Sequence, residues 1–439
     1  MHLSYHRGTI LVRGDYSLPN TVWDSRSRCY RAQALYYRDL IRYLEDSNIS
    51  YKDEVLDLIP TPIFSSKIKL RSYQKEAMER WLLQKRGTIV MPTGSGKTIL
   101  ALKIIEKLNT STFIVVPTLD LVRQWRENLY KHFNIEIGEY TGEKKKLEAI
   151  TVSTYDSAYI NAEYLGNKFK LLIFDEVHHL PAEGYRQIAE FFASPFRLGL
   201  TATYEREDGL HEILPRLIGG KIFEVHTDDL AGKHLSDYEV EKINIDLTKE
   251  EKKLYGFYQN KFRRYISSHH IKIRNPRDFQ KIIMRSGFDP KAREALIAWR
   301  KAERIAYNSK GKLEKIEELL DERNRTIIFT RYNDMVYEIS KRFFIPCITY
   351  KTDSRERKEI FDGFKYGEYK ALVSSQVLDE GIDVPEANIG IIVSGTGSNR
   401  EYIQRLGRIL RPREGKKAVL YELVTKGTKE TRTSYRRKK

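Results

Sequence analysis

Short apolar runs separated by longer amphipathic stretches set the rhythm of this chain. Thr88–Met91, Phe113–Val116, Ala149–Val152 and Leu171–Phe174 are each four residues of nearly continuous apolar character. Such runs suit strands buried on both faces of a parallel sheet, since a half-exposed strand would alternate with polar residues. The stretch Thr98–Leu108 between two of them repeats at helical spacing and places Ile99, Leu102, Ile105 and Leu108 on one face. Strand–helix alternation over 67–230 therefore predicts a doubly wound α/β domain, whose ligands gather at the carboxyl ends of the strands. A second series predicts another α/β domain over 231–439. Its strands are Val240–Asp246, Thr326–Phe329, Ile348–Tyr350, Ala371–Ser374 and Ile389–Val393.

Two stretches depart from the rhythm. Residues 1–66 read as a small α/β module of their own. Thr9–Arg13 is its strand, Tyr30–Leu44 its helix (Ala34, Leu35, Leu40, Ile41 and Leu44 on one face), and Pro60-Thr61-Pro62 its linker. Residues 248–310 carry no strand pattern and read as a helical insertion into the second domain.

Length agrees with this division, because 439 residues exceed what one hydrophobic core supports. No run of about eighteen apolar residues predicts a membrane span. Met1–Arg7 opens onto no apolar signal segment, so a cytoplasmic protein is expected. Cys29 and Cys347 show no CxxC spacing, and neither a structural metal nor a disulfide framework is expected.

Charge sharpens the picture through its placement. The net charge is +17, yet residues 1–66 balance at eight basic against eight acidic. Residues 261–310 hold fourteen Lys/Arg against four Asp/Glu, and residues 426–439 hold seven against one. A solvated helix and a frayed tail would also concentrate charge, but two such local excesses point to polyanion contacts.

The chemistry begins at the end of the first central strand. Pro92, Thr93, Gly94, Ser95, Gly96, Lys97 and Thr98 form a strand–loop–helix junction. Phosphates need inward-facing backbone N–H groups, which the glycines permit, a helix N-terminus, and a lysine for the β- and γ-phosphates. Thr98 supplies a hydroxyl to Mg²⁺. The strict pattern has glycine where Met91 stands, and the compact core of the motif compensates. Asp175 follows the strand Leu171–Phe174, the place for a second Mg²⁺ ligand, and Glu176 could polarise the attacking water. ATP and Mg²⁺ are the cofactors expected. His178 and His179 lack a third metal ligand nearby, and His178 is expected to hydrogen-bond toward the second half of the protein.

From about residue 70 to 425 these elements resemble superfamily 2 helicases of the DExH kind. Leu70–Gln74 resembles the motif that reads adenine, which implies roles for Arg71 and Gln74. Val116–Trp125 and Ser153–Asp156 resemble strand-contact motifs, implying DNA contacts for Thr118, Arg123 and Thr154. Thr201-Ala202-Thr203 resembles the coupling motif, with Thr201 and Thr203 linking hydrolysis to movement together with His178. Ile328–Arg331 resembles the fourth motif, placing Arg331 on DNA, and Ser374–Asp383 the fifth, placing Asp383 at the nucleotide. Gln404–Arg411 matches QRxGRxxR: Gln404 would position water, and Arg408 and Arg411 would neutralise the transferring phosphoryl group. The resemblance implies two RecA-like parallel-sheet domains, with ATP held between them and DNA across both.

Two further features resemble the XPB-type subfamily, in its archaeal form. Arg206, Glu207 and Asp208 follow the coupling motif as that subfamily's Arg-Glu-Asp element does, and the insertion at 248–310 stands where it carries its thumb. Arg263, Arg264, Lys272, Arg274 and Arg277 would then grip DNA, with Tyr265 and Phe279 available to stack. Residues 1–66 more loosely resemble its damage-recognition module. The resemblance implies 3′–5′ DNA unwinding or translocation in excision repair and transcription. An archaeal endonuclease or a repair/transcription complex would be the partner. An RNA-directed helicase, a restriction-type duplex translocase and a DNA-binding scaffold with a vestigial ATPase are the rival readings.

Overall fold

The computed structural model describes residues 1–14, 17–206, 208–225, 237–273, 276–375, 387–394 and 417–431. Two compact units meet in sequence at Leu230 and Ala231. The first opens with a five-stranded sheet of β1 (His2–His6), β2 (Thr9–Arg13), β3 (Val22–Asp24), β4 (Cys29–Gln33) and β5 (Lys52–Glu54). Its order is β3-β4-β2-β1-β5, antiparallel except where β5 joins β1. The β1–β2 hairpin turns through Arg7 and Gly8, both at positive φ, the geometry that matches the twist of the flanking strands. A Cβ on Gly8 would stand 2.5 Å from the Phe191 ring, so close packing as well as the turn requires glycine.

The helix expected over Tyr30–Leu44 is shorter. Cys29–Gln33 is a strand that pairs β2 on one side and β3 on the other, and the α-helix runs from Tyr37 to Asp46 after a 3₁₀ turn at Ala34–Tyr36. Pairing with β2 overrides the helical pattern there. Tyr37, Leu40 and Leu44 then close the module's core against Leu3, Ile10 and Val12. Hydrogen bonds fasten the module to the rest of the first unit. Tyr5 Oη donates to Glu163 O and Phe191 O, both at 3.0 Å, and Arg38 Nη1 donates to Gln84 O at 2.7 Å.

Next come β6 (Arg86–Val90), β7 (Thr112–Val116), β8 (Gly138–Tyr140), β9 (Lys145–Lys146), β10 (Ile150–Thr154), β11 (Leu171–Asp175), β12 (Phe196–Thr201) and β13 (Lys221–Glu224). They form one sheet in the order β13-β6-β12-β11-β7-β10-β8-β9, parallel except for the β8–β9 hairpin. Every residue of β7, β10 and β11 is buried, as continuous apolar runs require. The helix Lys97–Leu108 buries Leu100, Ala101, Leu102, Ile104 and Ile105, while Ile99 and Leu108 of the expected face are half-buried. Its covered side is broader than one stripe and rotated from the one expected.

One buried cation braces this sheet. Arg197 on β12 donates to Ser194 O, Ala189 O, Leu217 O and Phe192 O at 2.6–3.0 Å, joining two helix ends to the strand. Burial pushes its guanidinium pKa down, and the four carbonyls compensate the lost hydration.

The second unit holds β14 (Asp237–Ile245), β15 (Thr326–Phe329), β16 (Cys347–Ile348), β17 (Ala371–Ser374), β18 (Ile389–Ile392) and β19 (Lys417–Thr425), all parallel, in the order β14-β19-β18-β15-β17-β16. Between β14 and β15 lie the helices Lys249–Ser268, Pro276–Arg285 and Pro290–Tyr307 of the insertion, followed by Lys310–Leu319. Thr248 opens the first with a reciprocal cap to Glu251. Ala292, Ala295, Ala298, Ala302 and Ala306 form the buried face of the third and let it pack closely on the first. Among the described residues, no helix is long and apolar enough to cross a membrane.

Candidate nucleotide-binding site

The loop 91–96 leaves β6 at its carboxyl end and enters the helix Lys97–Leu108. Gly94 and Gly96 both sit at φ above +80°. Gly96 has a second reason to be glycine: a Cβ there would meet Gln74 Nε2 at 2.5 Å. Gln74 is buried, donates through Nε2 to Ser95 O (2.9 Å) and Gly96 O (3.3 Å), and accepts from Arg71 N at 2.9 Å. Tyr73 Oη adds a 2.7 Å bond to Ser95 O, and Arg71 Nη1 donates to Tyr73 Oη at 3.2 Å. Gln74 braces the loop through its side-chain amide.

Within the loop, Ser95 Oγ donates to Pro92 O at 2.6 Å, and Lys97 Nζ donates to Met91 O at 3.1 Å and Pro92 O at 3.4 Å. The lysine thus curls over the loop's own carbonyls. Thr93 Oγ1 is buried without a partner among the described residues. A buried hydroxyl facing no acceptor fits a site built for a hydrogen-bonding anion.

Asp175 is the last residue of β11 and is 7% exposed. Its Oδ2 accepts from Trp125 Nε1 at 2.8 Å and its Oδ1 from Glu176 N at 3.1 Å. Burial raises its pKa above the ordinary carboxylate value, while the charge of Lys97 and the Trp125 bond oppose the rise. A buried carboxylate at the carboxyl end of a central strand is one of the two residues that could hold a divalent cation. Thr98, half-buried in the first turn of the helix, offers the other expected ligand. Glu176 adopts a left-handed backbone conformation at φ +49°, unusual for a residue with a Cβ and characteristic of strained functional positions. Tyr155 Oη donates to Asp175 O at 3.2 Å and holds this turn from below.

The coupling candidates form one connected set. Glu176 Oε2 lies 3.4 Å from His178 Nδ1, which lies 3.1 Å from Thr201 Oγ1. Thr201 Oγ1 donates to Thr203 O at 2.7 Å, and Thr201 O accepts from Met91 N at 2.9 Å. His178 Nδ1 is therefore engaged inside the first unit, whereas a reach toward the second half was expected. Arg206, expected on DNA, grips the same motif: one Nη donates to His178 O, while Nε and the other Nη pair with Asp208 at 2.9 and 2.6 Å. That pairing holds the Asp208 pKa down at about 2.

The remaining DNA candidates divide. Arg123, Arg263, Arg264 and Lys272 are exposed. Thr118 caps the helix Leu119–Phe133 by accepting from Leu121 N. Thr154 is buried and caps the helix Tyr155–Ile160, its hydroxyl accepting from Ser157 N and donating to Ser157 Oγ. Arg331 lies 3.5 Å from Glu303 and against the Tyr307 and Tyr332 rings, with a third of its side chain exposed. Tyr265 is buried and bonds Asp289, and Phe279 packs on Trp299, so neither is available to stack. Glu207, Arg274, Asp383, Gln404, Arg408 and Arg411 lie outside the described residues, as does the side chain of Arg277.

Trp125, Tyr73 and Tyr155 were absent from the expected site. Trp125 carried a readable signal, because a tryptophan on an apolar helix face needs an acceptor for its N–H, but nothing in the sequence says which.

Comparisons with known proteins agree along the chain. Residues 3–55 match the model of the "Xeroderma pigmentosum group B helicase damage recognition domain". Residues 67–206 match "Type III restriction enzyme, res subunit", and residues 311–413 match "Helicase conserved C-terminal domain". "DNA 3'-5' translocase XPB2" of Sulfurisphaera tokodaii is 48% identical over 440 residues, covering the whole of both chains. "DNA 3'-5' helicase XPB" of Mycobacterium tuberculosis is 32% identical, over 82% of this chain and 61% of its own. The transcription and DNA repair factor IIH helicase/translocase subunit XPB/SSL2 of Saccharomyces cerevisiae is 28% identical, over 93% of this chain and 47% of its own. Among solved structures, the Hef helicase domain of Pyrococcus furiosus shares the fold at a TM-score of 0.55 and 20% identity, over 84% of this chain and 98% of that one.

Proposed function

This chain belongs to the XPB family of superfamily 2 helicases, and on that premise we propose an ATP-driven DNA helicase or translocase, moving 3′ to 5′, that opens DNA in nucleotide excision repair and transcription. The observation that carries this reading is the path of contacts running from the phosphate loop through Thr201 and His178 to within 3.4 Å of Glu176, with Asp175 anchored beside it on Trp125. Under this proposal a nucleotide that rearranges the loop acts on Thr201 and His178 through those contacts.

In this reading the loop amides, Thr93 and Lys97 take the phosphates, and Thr98 and Asp175 hold Mg²⁺. The metal, when bound, neutralises charge on the phosphates. Lys97 releases the Met91 and Pro92 carbonyls and turns to the γ-phosphate. Glu176 accepts a proton from water as the water oxygen bonds to the γ-phosphorus and the bond to the ADP oxygen breaks. Gln404, Arg408, Arg411 and Asp383 keep the roles that family membership gives them at the transferring phosphate and the nucleotide.

DNA as the substrate is supported by the match of residues 3–55 to the damage-recognition model and by the exposed cations of the inserted helices. Backbone contacts of this kind tolerate any sequence, as a moving motor needs. The match of residues 67–206 favours restriction-type duplex translocation as the second reading. Stimulation of ATP hydrolysis by single-stranded DNA, duplex DNA and RNA separates the readings. Strongest stimulation by RNA would refute the DNA assignment, and duplex-only stimulation without strand separation would favour the second. The protein would work in the cytoplasm at the nucleoid, beside an endonuclease or a repair/transcription complex. Strand separation with and without the nuclease tests that partnership.

A further inference from the structure

The inserted helices enclose a cavity of about 280 Å³ that none of the helicase motifs describes. It lies where the helices Lys249–Ser268 and Pro290–Tyr307 meet the turn 427–430 after β19, all within the second unit. Its volume is at the lower edge of the ~300–1,000 Å³ typical of small-molecule sites, room for one planar ring system and little more.

Phe262, Trp299 and Tyr307 line it together with the cations Arg263 and Lys429, and the Lys429 ammonium lies over two of the rings. Lys429 Nζ stands 4.5 Å from the Trp299 ring centroid and 5.6 Å from that of Phe262. Phe279 packs on Trp299 at 4.7 Å and fixes the indole from the helical core. Trp299 Nε1 is buried and has no hydrogen-bond partner among the described residues. Glu303 supplies an acceptor on the same wall and also contacts Arg331 at 3.5 Å, in the fourth helicase motif.

Aromatic rings covered by a cation, an N–H donor without a partner among the described residues, a carboxylate and adjacent cations together match a nucleotide. A base displaces Lys429 from the rings and stacks there, while its phosphate meets the lysine and arginine. We propose that this cavity receives one unstacked nucleobase of the DNA strand that the inserted helices hold. The inference rests on the DNA reading above and assigns that strand a single anchoring base. Arg331 links the occupied pocket to the β15 loop, so a seated base is felt at the fourth motif through Glu303.

The test compares the full chain with Trp299→Phe and Trp299→Leu, using an oligothymidine and an abasic oligonucleotide of the same length and charge. The intact protein should bind the oligothymidine about tenfold more tightly than the abasic strand. Trp299→Leu should abolish most of that ratio by weakening only the oligothymidine. Trp299→Phe, which keeps a ring and loses the donor, should give an intermediate ratio and guards against misfolding of the leucine variant. A 5-iodouracil placed in the strand should photocrosslink to the 299 region in the intact protein and lose that crosslink in Trp299→Leu. Equal affinities for the two strands in the intact protein, or a ratio unchanged by both substitutions, would overturn the pocket while leaving DNA binding intact. Failure of both strands to bind would overturn the DNA reading and the pocket together.

Discussion

Trp125 Nε1 lies 2.8 Å from Asp175 Oδ2, joining the middle of the helix Leu119–Phe133 to the last residue of β11. That helix begins at Thr118 and exposes Arg123, both candidates for DNA contact. A strand that shifts the helix therefore acts on the carboxylate proposed to hold the metal.

Trp125→Phe keeps the ring and removes the donor. The Mg²⁺ concentration that half-saturates ATP hydrolysis should rise about tenfold, the usual cost of losing a bond to a metal ligand. The pH profile should move as well. Burial raises the Asp175 pKa in the free enzyme and the Trp125 bond opposes it, so losing the bond raises it further and shifts the acidic limb of kcat/KM to higher pH. A variant with unaltered Mg²⁺ dependence and pH profile would show the bond to be packing alone.

Glu176→Gln should lower kcat by about a hundredfold or more while ATP still binds, since a general base is worth roughly 10²–10⁴. Lys97→Ala should abolish hydrolysis and weaken nucleotide binding. Single-turnover hydrolysis alongside equilibrium titration of a fluorescent ATP analogue separates the two, and turnover surviving Lys97→Ala would refute the mechanism.

Gly96→Ala should raise the KM for ATP because the new Cβ collides with Gln74 Nε2 and must hold a left-handed conformation. Adding Gln74→Ala removes the collision and leaves the conformational strain, so the double variant should recover part of the loss. A double-mutant cycle with strictly additive effects would show that the two side chains do not meet.

Lys312 and Glu430 form a buried pair at 2.7 Å, and Lys312 Nζ also donates to Val393 O at 2.6 Å. Lys312→Met leaves a buried carboxylate without its cation and should cost about 3–5 kcal/mol. Lys312→Met combined with Glu430→Leu should recover most of it. Calorimetric unfolding of the second unit reads both variants, and a mild effect of the single substitution would mean that water reaches Glu430.

The parallel sheets were legible because fully buried strands write themselves as apolar runs, as at Leu171–Phe174. Strand β4 was not, since Cys29–Gln33 is strand only through its pairing with β2, a relation between distant segments. Strand β19, Lys417–Thr425, was hidden for a similar reason: its partners β14 and β18 lie far away in sequence. At the candidate site, residue types tied to phosphate chemistry stood out, whereas the bonds that hold them did not. Nothing in the chain before folding says that Gln74 turns to Ser95, that Thr154 caps its own helix, or that Arg206 turns to His178.

The fastening of Tyr5 and Arg38 has a practical consequence. With its hydroxyl on Glu163 O and Phe191 O and its guanidinium on Gln84 O, the small N-terminal sheet is bolted to the same scaffold that carries the phosphate loop. Exposed Val22 and Leu83 therefore make a fixed pair of fiducial points. Dyes on them would keep one transfer efficiency through the nucleotide cycle, a built-in ruler against which any motion elsewhere in the chain can be calibrated.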